Sequence, residues 1–268
     1  MSIKIRSRLR FVLGRFFYTY KRYLTWYLSK TKFAKEISNE YLLFEIFSHK
    51  SILMRQLKNV DMYLQENKKT NLKIAAAKIN GLIIRPGETF SFWKLVGKTD
   101  RKSGYLEGLA LSNGKITKDI GGGLCQLANL IYWMTIHTPL KVTERWRHGY
   151  DVFPDVSRTQ PFGSGATVAY NYVDLQVYNP TSETFQLLVN LDDTFLKGQW
   201  RSEAEIPFTY KIIEKNHGIH SQNWGGYTRH NEIYREIMDK SGKVIDTEFV
   251  AENDAVMMYN PLLEGVKK

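Results

Sequence analysis

Gly121-Gly122-Gly123-Leu124-Cys125-Gln126 opens a mostly apolar run that continues to His137 and halts at Thr138-Pro139. Glycines at the start and Thr-Pro at the stop punctuate a helix of about 14 residues, Leu124 to His137. Around it the pattern changes to short stretches with a period of two. Leu82 to Ile84, Lys141 to Val152, Thr167 to Tyr178 and Phe185 to Leu191 read as strands, as does a hairpin from Tyr234 to Val250. Ser112-Asn113-Gly114-Lys115 reads as a further hairpin turn. Upstream, apolar spacings of three and four predict a helix over 39–66. Residues 67–71 follow as a polar break, then a short helix over 72–80 stopped by Gly81. Helices first, then one helix among many strands, is an α+β fold in which the Cys-bearing helix packs on a mostly antiparallel sheet.

Charge divides the chain differently. The 268 residues carry 38 bases and 27 acids, a net charge of +11. Ten of those bases fall within the first 35 residues, where no acid occurs, so the remaining 233 residues are close to neutral. A body without a basic face argues against nucleic acid as a partner. Phe16, Phe17, Tyr20, Tyr23 and Trp26 interleave with the bases, a pattern suited to an anionic membrane surface, although no long periodic apolar face stands out. The expected organisation is a basic aromatic segment over 1–38 and one domain over 39–268. That domain has a motif core at 82–200 and a β-rich extension at 201–268. No secretory h-region or spanning stretch is read, so the expected place is the cytoplasm or the inner face of the membrane.

With one cysteine, no internal disulfide is possible. Cys125 sits in the first turn of its helix, where the dipole and converging N–H groups favour a thiolate. The N–H groups around Gly121, Gly122 and Gly123 would also suit an oxyanion. At about 100° per residue, Leu124, Leu127, Leu130, Ile131 and Met134 form one stripe, with Cys125 nearly opposite beside Asn129 and Tyr132. That placement suits a nucleophile unless a second layer covers the Cys face. A small buried thiol is the competing reading.

A nucleophilic thiol needs a base and an orienting acid. His148, on the strand after the helix, is the candidate base. Asp174 is the candidate acid, with Asp151 and Asp155 as competitors. Cys, His and acid in this chain order match papain- or transglutaminase-like cores by analogy. Gln126 is a candidate pocket amide and Arg145 a candidate carboxylate binder. His137 reads as structural; Glu88 and Ser91 could line a pocket, though turn chemistry alone explains Pro86 and Gly87. His217, His220 and His230 lack a scaffold for zinc, so no metal or other cofactor is expected.

PGETFSFW (86–93), GYLEGLALSNGK (104–115), GGGLCQ (121–126), ERWRH (144–148) and the segments ATV (166–168) and DLQVYN (174–179) together resemble the VanW family. The resemblance implies an accessory role in glycopeptide (vancomycin) resistance and a peptidoglycan precursor or peptide as ligand. It supplies no reaction. The function it leaves open is a Cys/His acyl-transfer enzyme or a non-catalytic envelope-associated binding protein using the same pocket. The family pattern has an Asp before Ala-Thr-Val, where this chain has Gly165.

Overall fold

The computed structural model describes residues 8–54, 61–112, 114–152 and 159–262. Helix α4 (Cys125–Thr135) lies at its centre and buries Leu127, Leu130, Ile131 and Met134. It packs on an antiparallel sheet of order β2-β11-β10-β3, built from Phe44–Ile52, Phe195–Ser202, Phe185–Leu191 and Leu82–Ile84. The approach is close because β11 carries Gly198 beneath the helix. A Cβ there would stand 2.6 Å from the Met134 methyl. One turn further on, the buried Trp200 indole donates to Thr135 Oγ1 at 3.2 Å.

Over the other side of α4 lies a second sheet of order β1-β4-β9-β7, from Lys32–Phe33, Glu88–Ser91, Gln176–Tyr178 and Lys141–Glu144. Phe90, Leu175 and Val177 complete the apolar core from this side. The fold is α+β, and its sheets are mostly antiparallel. Among the described residues the parallel pairs are β1 with β4, and Tyr150–Asp151 with Val256–Met257. Strand β5 (Glu107–Ser112) and β6 (Lys115–Ile120) form the hairpin read from Ser112 and Gly114, although Asn113 lies outside the described residues.

Three predicted elements differ. Residues 44–52 are strand β2, because Phe44 to Ile52 pair along β11 and half-bury alternate side chains there. Helix α2 (Met62–Ile79) runs unbroken through the supposed polar break at 67–71. Those polar residues hold neighbouring backbone: the Asn67 amide donates to Glu107 O at 2.8 Å, and Lys68 Nζ donates to Leu53 O. Asn71, fully buried, donates to Leu106 O and Gly122 O and accepts from Leu106 N. The predicted strand over 167–178 reverses direction in a turn at 170–172, closed by Ala169 and Val173.

The C-terminal strands β12 (Thr209–Ser221), β13 (Tyr227–Met238) and β14 (Val244–Met257) form a long meander, with β8 (Tyr150–Asp151) added beside β14. A buried Arg229–Asp151 pair at 3.5 Å and Arg235 donating to Thr138 O at 2.7 Å fix it to the body. Helix α1 (Arg8–Leu28) docks by its last two turns. Arg22 grips Glu144 with two bonds of 2.7 and 2.5 Å, the Tyr23 and Tyr170 hydroxyls meet at 2.5 Å, and Trp26 is buried. Among the described residues no helix is long and apolar enough to cross a membrane.

Candidate functional site

The glycines before α4 make a tight approach between two backbones. A Cβ on Gly122 would lie 2.3 Å from Gly108 C and O, and one on Gly123 would lie 2.2 Å from Lys68 Cγ. Gly121 and Gly123 also have φ of +80° and +95°, the left-handed region that glycine enters without penalty. The N–H of Gly121 donates to Leu106 O and that of Gly122 to Asp119 O, both at 3.0 Å. Two of the three expected oxyanion donors are therefore engaged in structure. This corrects the expectation for Gly121 and Gly122.

Cys125 is half-buried, and its sulfur turns toward the segment after Gly163, 3.6 Å from the Val168 carbonyl. Burial pushes the thiol above its usual value. Desolvation outweighs the lowering effect of the backbone hydrogen bonds around the sulfur, including that to Val168. The face of α4 opposite the aliphatic stripe is covered in part: Tyr132 and Ile136 are buried, whereas Asn129 is exposed. Asn129 accepts from Ala166 N at 2.7 Å and so holds down the strip beside the sulfur. A second layer therefore covers part of the Cys face.

His148 lies beyond the end of β7. After Glu144 the chain makes only an isolated bridge from Trp146 to Thr167 before Tyr150, so the strand expected over 141–152 is interrupted around His148. Burial, and then the Arg147 charge, lower the His148 pKa and favour neutral imidazole. Among the described residues it has no hydrogen bond to Cys125 or to Asp174.

Asp174 is fully buried and serves another purpose. Its carboxylate accepts from Ser91 Oγ at 2.6 Å, Trp93 N at 3.0 Å and the Gln176 amide at 3.2 Å. Burial lifts its pKa to about 6, against the lowering effect of the Ser91 and Trp93 bonds. It fixes the start of α3 (Phe92–Val96) rather than orienting His148. Asp151 is committed to Arg229 and Tyr259, and Asp155 lies outside the described residues. The Cys–His–Asp alignment behind the papain- or transglutaminase-like analogy is not assembled.

Gln126 and Arg145 are also structural. The Gln126 amide donates to Ser51 Oγ at 2.8 Å and Ile52 O at 2.9 Å, tying α4 to β2. Arg145 donates to Gly165 O at 2.9 Å, to Gly163 O and to Asn253 Oδ1 at 3.0 Å, and its guanidinium lies 4.7 Å from the Tyr132 ring centre. It joins α4, the 163–165 strip and the C-terminal meander. A Cβ at Gly165 would stand 2.6 Å from Asn129 Oδ1, so Asn129 fills the space that a side chain at this position would need.

Sequence reasoning missed Asn129, Asn253 and Arg22, whose partners lie 37, 108 and 122 residues away. No local pattern announces such pairs. His137 is structural as expected, with Nδ1 2.8 Å from Trp133 O and its ring stacked on Phe47. His217 accepts from Arg229 Nε at 2.9 Å, whereas His230 pairs with Asp254 at 2.9 Å, so the three histidines do not form one site. Among the described residues the group that could hold a metal is His230, Glu252 and Asp254, whose acids are exposed. Two open hollows of about 570 and 580 Å³ border neither Cys125 nor His148.

Residues 67–201 match the family described as VanW like protein. The chain is 36% identical over 234 residues to Vancomycin B-type resistance protein VanW of Enterococcus faecalis, covering 87% of this chain and 85% of that protein. It is 29% identical over 138 residues to Uncharacterized protein YoaR of Bacillus subtilis, covering 50% of this chain and 43% of that protein. No solved structure matches.

Proposed function

The chain belongs to the VanW family, and from that premise we propose that it is a non-catalytic, envelope-associated accessory protein of glycopeptide resistance. Its ligand class is a peptidoglycan precursor or a peptide terminus derived from one. The resistance setting is carried over from the printed name of the Enterococcus relative. The observation that favours binding over acyl transfer is the thiol of Cys125. It is roofed by Val168, raised in pKa by burial, and has a backbone carbonyl rather than an imidazole as its polar neighbour. A thiol of that kind is a poor nucleophile at neutral pH, since the thiolate is the reactive form.

The test pairs chemistry with phenotype. In the folded protein, iodoacetamide labelling of Cys125 should be slow and should rise only above the ~8.5 of a free thiol. A Cys125→Ala variant should support the same vancomycin minimum inhibitory concentration as the parent in a host lacking its own copy. Labelling governed by an apparent pKa below 8, lost in His148→Ala together with resistance in Cys125→Ala, would establish the acyl-transfer enzyme instead. Parent and variant both leaving susceptibility unchanged would remove the resistance role.

A further inference from the structure

Helix α1 is attached through Arg22, Tyr23 and Trp26, with the Tyr27 ring centre 4.7 Å from Lys94 Nζ of α3 at its end. About a quarter-turn away, at about 100° per residue, lies a stripe of Leu9, Leu13, Phe16, Tyr20 and Leu24. Each is more than half exposed. The stripe contains no charged residue. Arg10 and Lys21 flank it on one side, and no acid occurs before Glu36. This periodic apolar face was not evident in the sequence because the interleaved bases obscure it. Folding sets Arg10 and Lys21 along one margin.

We infer that α1 is an in-plane anchor for an anionic lipid surface, with the stripe entering the acyl boundary and the flanking bases meeting phosphate headgroups. A helix with an apolar face, bases along a margin and no acid has the arrangement that such surfaces bind. Charge complementarity selects this occupant over a second copy of the chain, which would press two acid-free basic segments together. The docked turns hold the stripe outward, since the Arg22–Glu144 and Tyr23–Tyr170 contacts fix the rotation of α1 on the body. Lys30, Lys32 and Lys35 follow in the sequence and add to the positive charge of this segment. The inference is independent of Cys125 and of any ligand.

The test is co-sedimentation of the full chain with vesicles of phosphatidylcholine alone, or with phosphatidylglycerol making up a third of the lipid. The parent should bind the mixed vesicles, scarcely bind the neutral ones, and release in high salt. Lys21→Gln should weaken binding by about fivefold. Phe16→Ser with Tyr20→Ser, both exposed positions, should abolish binding while leaving the melting temperature unchanged. Three results would overturn the inference: equal binding to both vesicle types, undiminished binding by the Phe16/Tyr20 variant, or a lipid-free dimer that this variant converts to monomer.

Discussion

Replacing Gly122 by alanine tests whether the glycine triplet serves packing. Gly122 has an ordinary φ, so the added methyl brings no backbone penalty and only the contact is probed. Its Cβ would meet Gly108 C and O at 2.3 Å and Gly108 Cα at 2.8 Å, all main-chain atoms. The two segments would have to part by about 1 Å to reach ordinary van der Waals range. That movement pulls on four bonds: Asn71 to Gly122 O and to Leu106 O, Gly121 N–H to Leu106 O, and Gly122 N–H to Asp119 O. At about 1 kcal/mol each, losing two to four of them costs roughly 2–4 kcal/mol. Urea unfolding should show a lower midpoint at unchanged slope. Gly149→Ala, at a glycine with nothing within 4 Å of its Cβ, is the control and should stay within about 0.5 kcal/mol of the parent. If Gly122→Ala is as mild as Gly149→Ala, the packing explanation fails and an anion cradle regains its claim.

Further expectations concern buried polar groups. Asp174 has a folded pKa of about 6, above its unfolded value, so the fold prefers its protonated form. Its contribution is full below about pH 4 and is lost as pH rises toward 6. Urea midpoints across that window should fall more steeply in the parent than in Asp174→Asn, and identical slopes would refute the assignment. Arg145→Met leaves two carbonyls and the Asn253 amide oxygen without their donor and should cost about 3 kcal/mol in thermal or urea unfolding; a loss below 0.5 kcal/mol would show that the guanidinium is dispensable. Arg22→Ala should free the end of α1, seen as faster tryptic cleavage within residues 8–28 and greater acrylamide quenching of Trp26. Unchanged cleavage would mean that Trp26 alone suffices.

The sequence made α4 legible because glycines, a Thr-Pro stop and an apolar stripe all act locally. Strand β10 and the β5–β6 hairpin were legible for the same reason. Phe44 to Ile52 misled because partly buried strands pair apolar residues irregularly and mimic helical spacing. The α2 break misled because Asn67, Lys68 and Asn71 look like loop residues until their distant backbone acceptors are known. The turn at 170–172 was invisible because alternation continues through it and parity survives the reversal. That hidden turn placed Asp174 beside Ser91 instead of His148. Cys125 lies at the start of α4, as the sequence places it. Whether its sulfur faced a cleft depended on the strip around Gly165, more than thirty residues downstream, which no local pattern could place.

The parallel pairing of β8 with β14 sets a schedule for biogenesis. Tyr150 and Asp151 find their ladder partners at Val256 and Met257, and the Tyr259 hydroxyl reaches Asp151 across 108 residues. On a ribosome the middle of the chain would wait for its tail, because contacts this distant close late. A stop codon before Val256 would leave that edge unzipped, and the damage would be felt at Tyr150 and Asp151 rather than at the missing end.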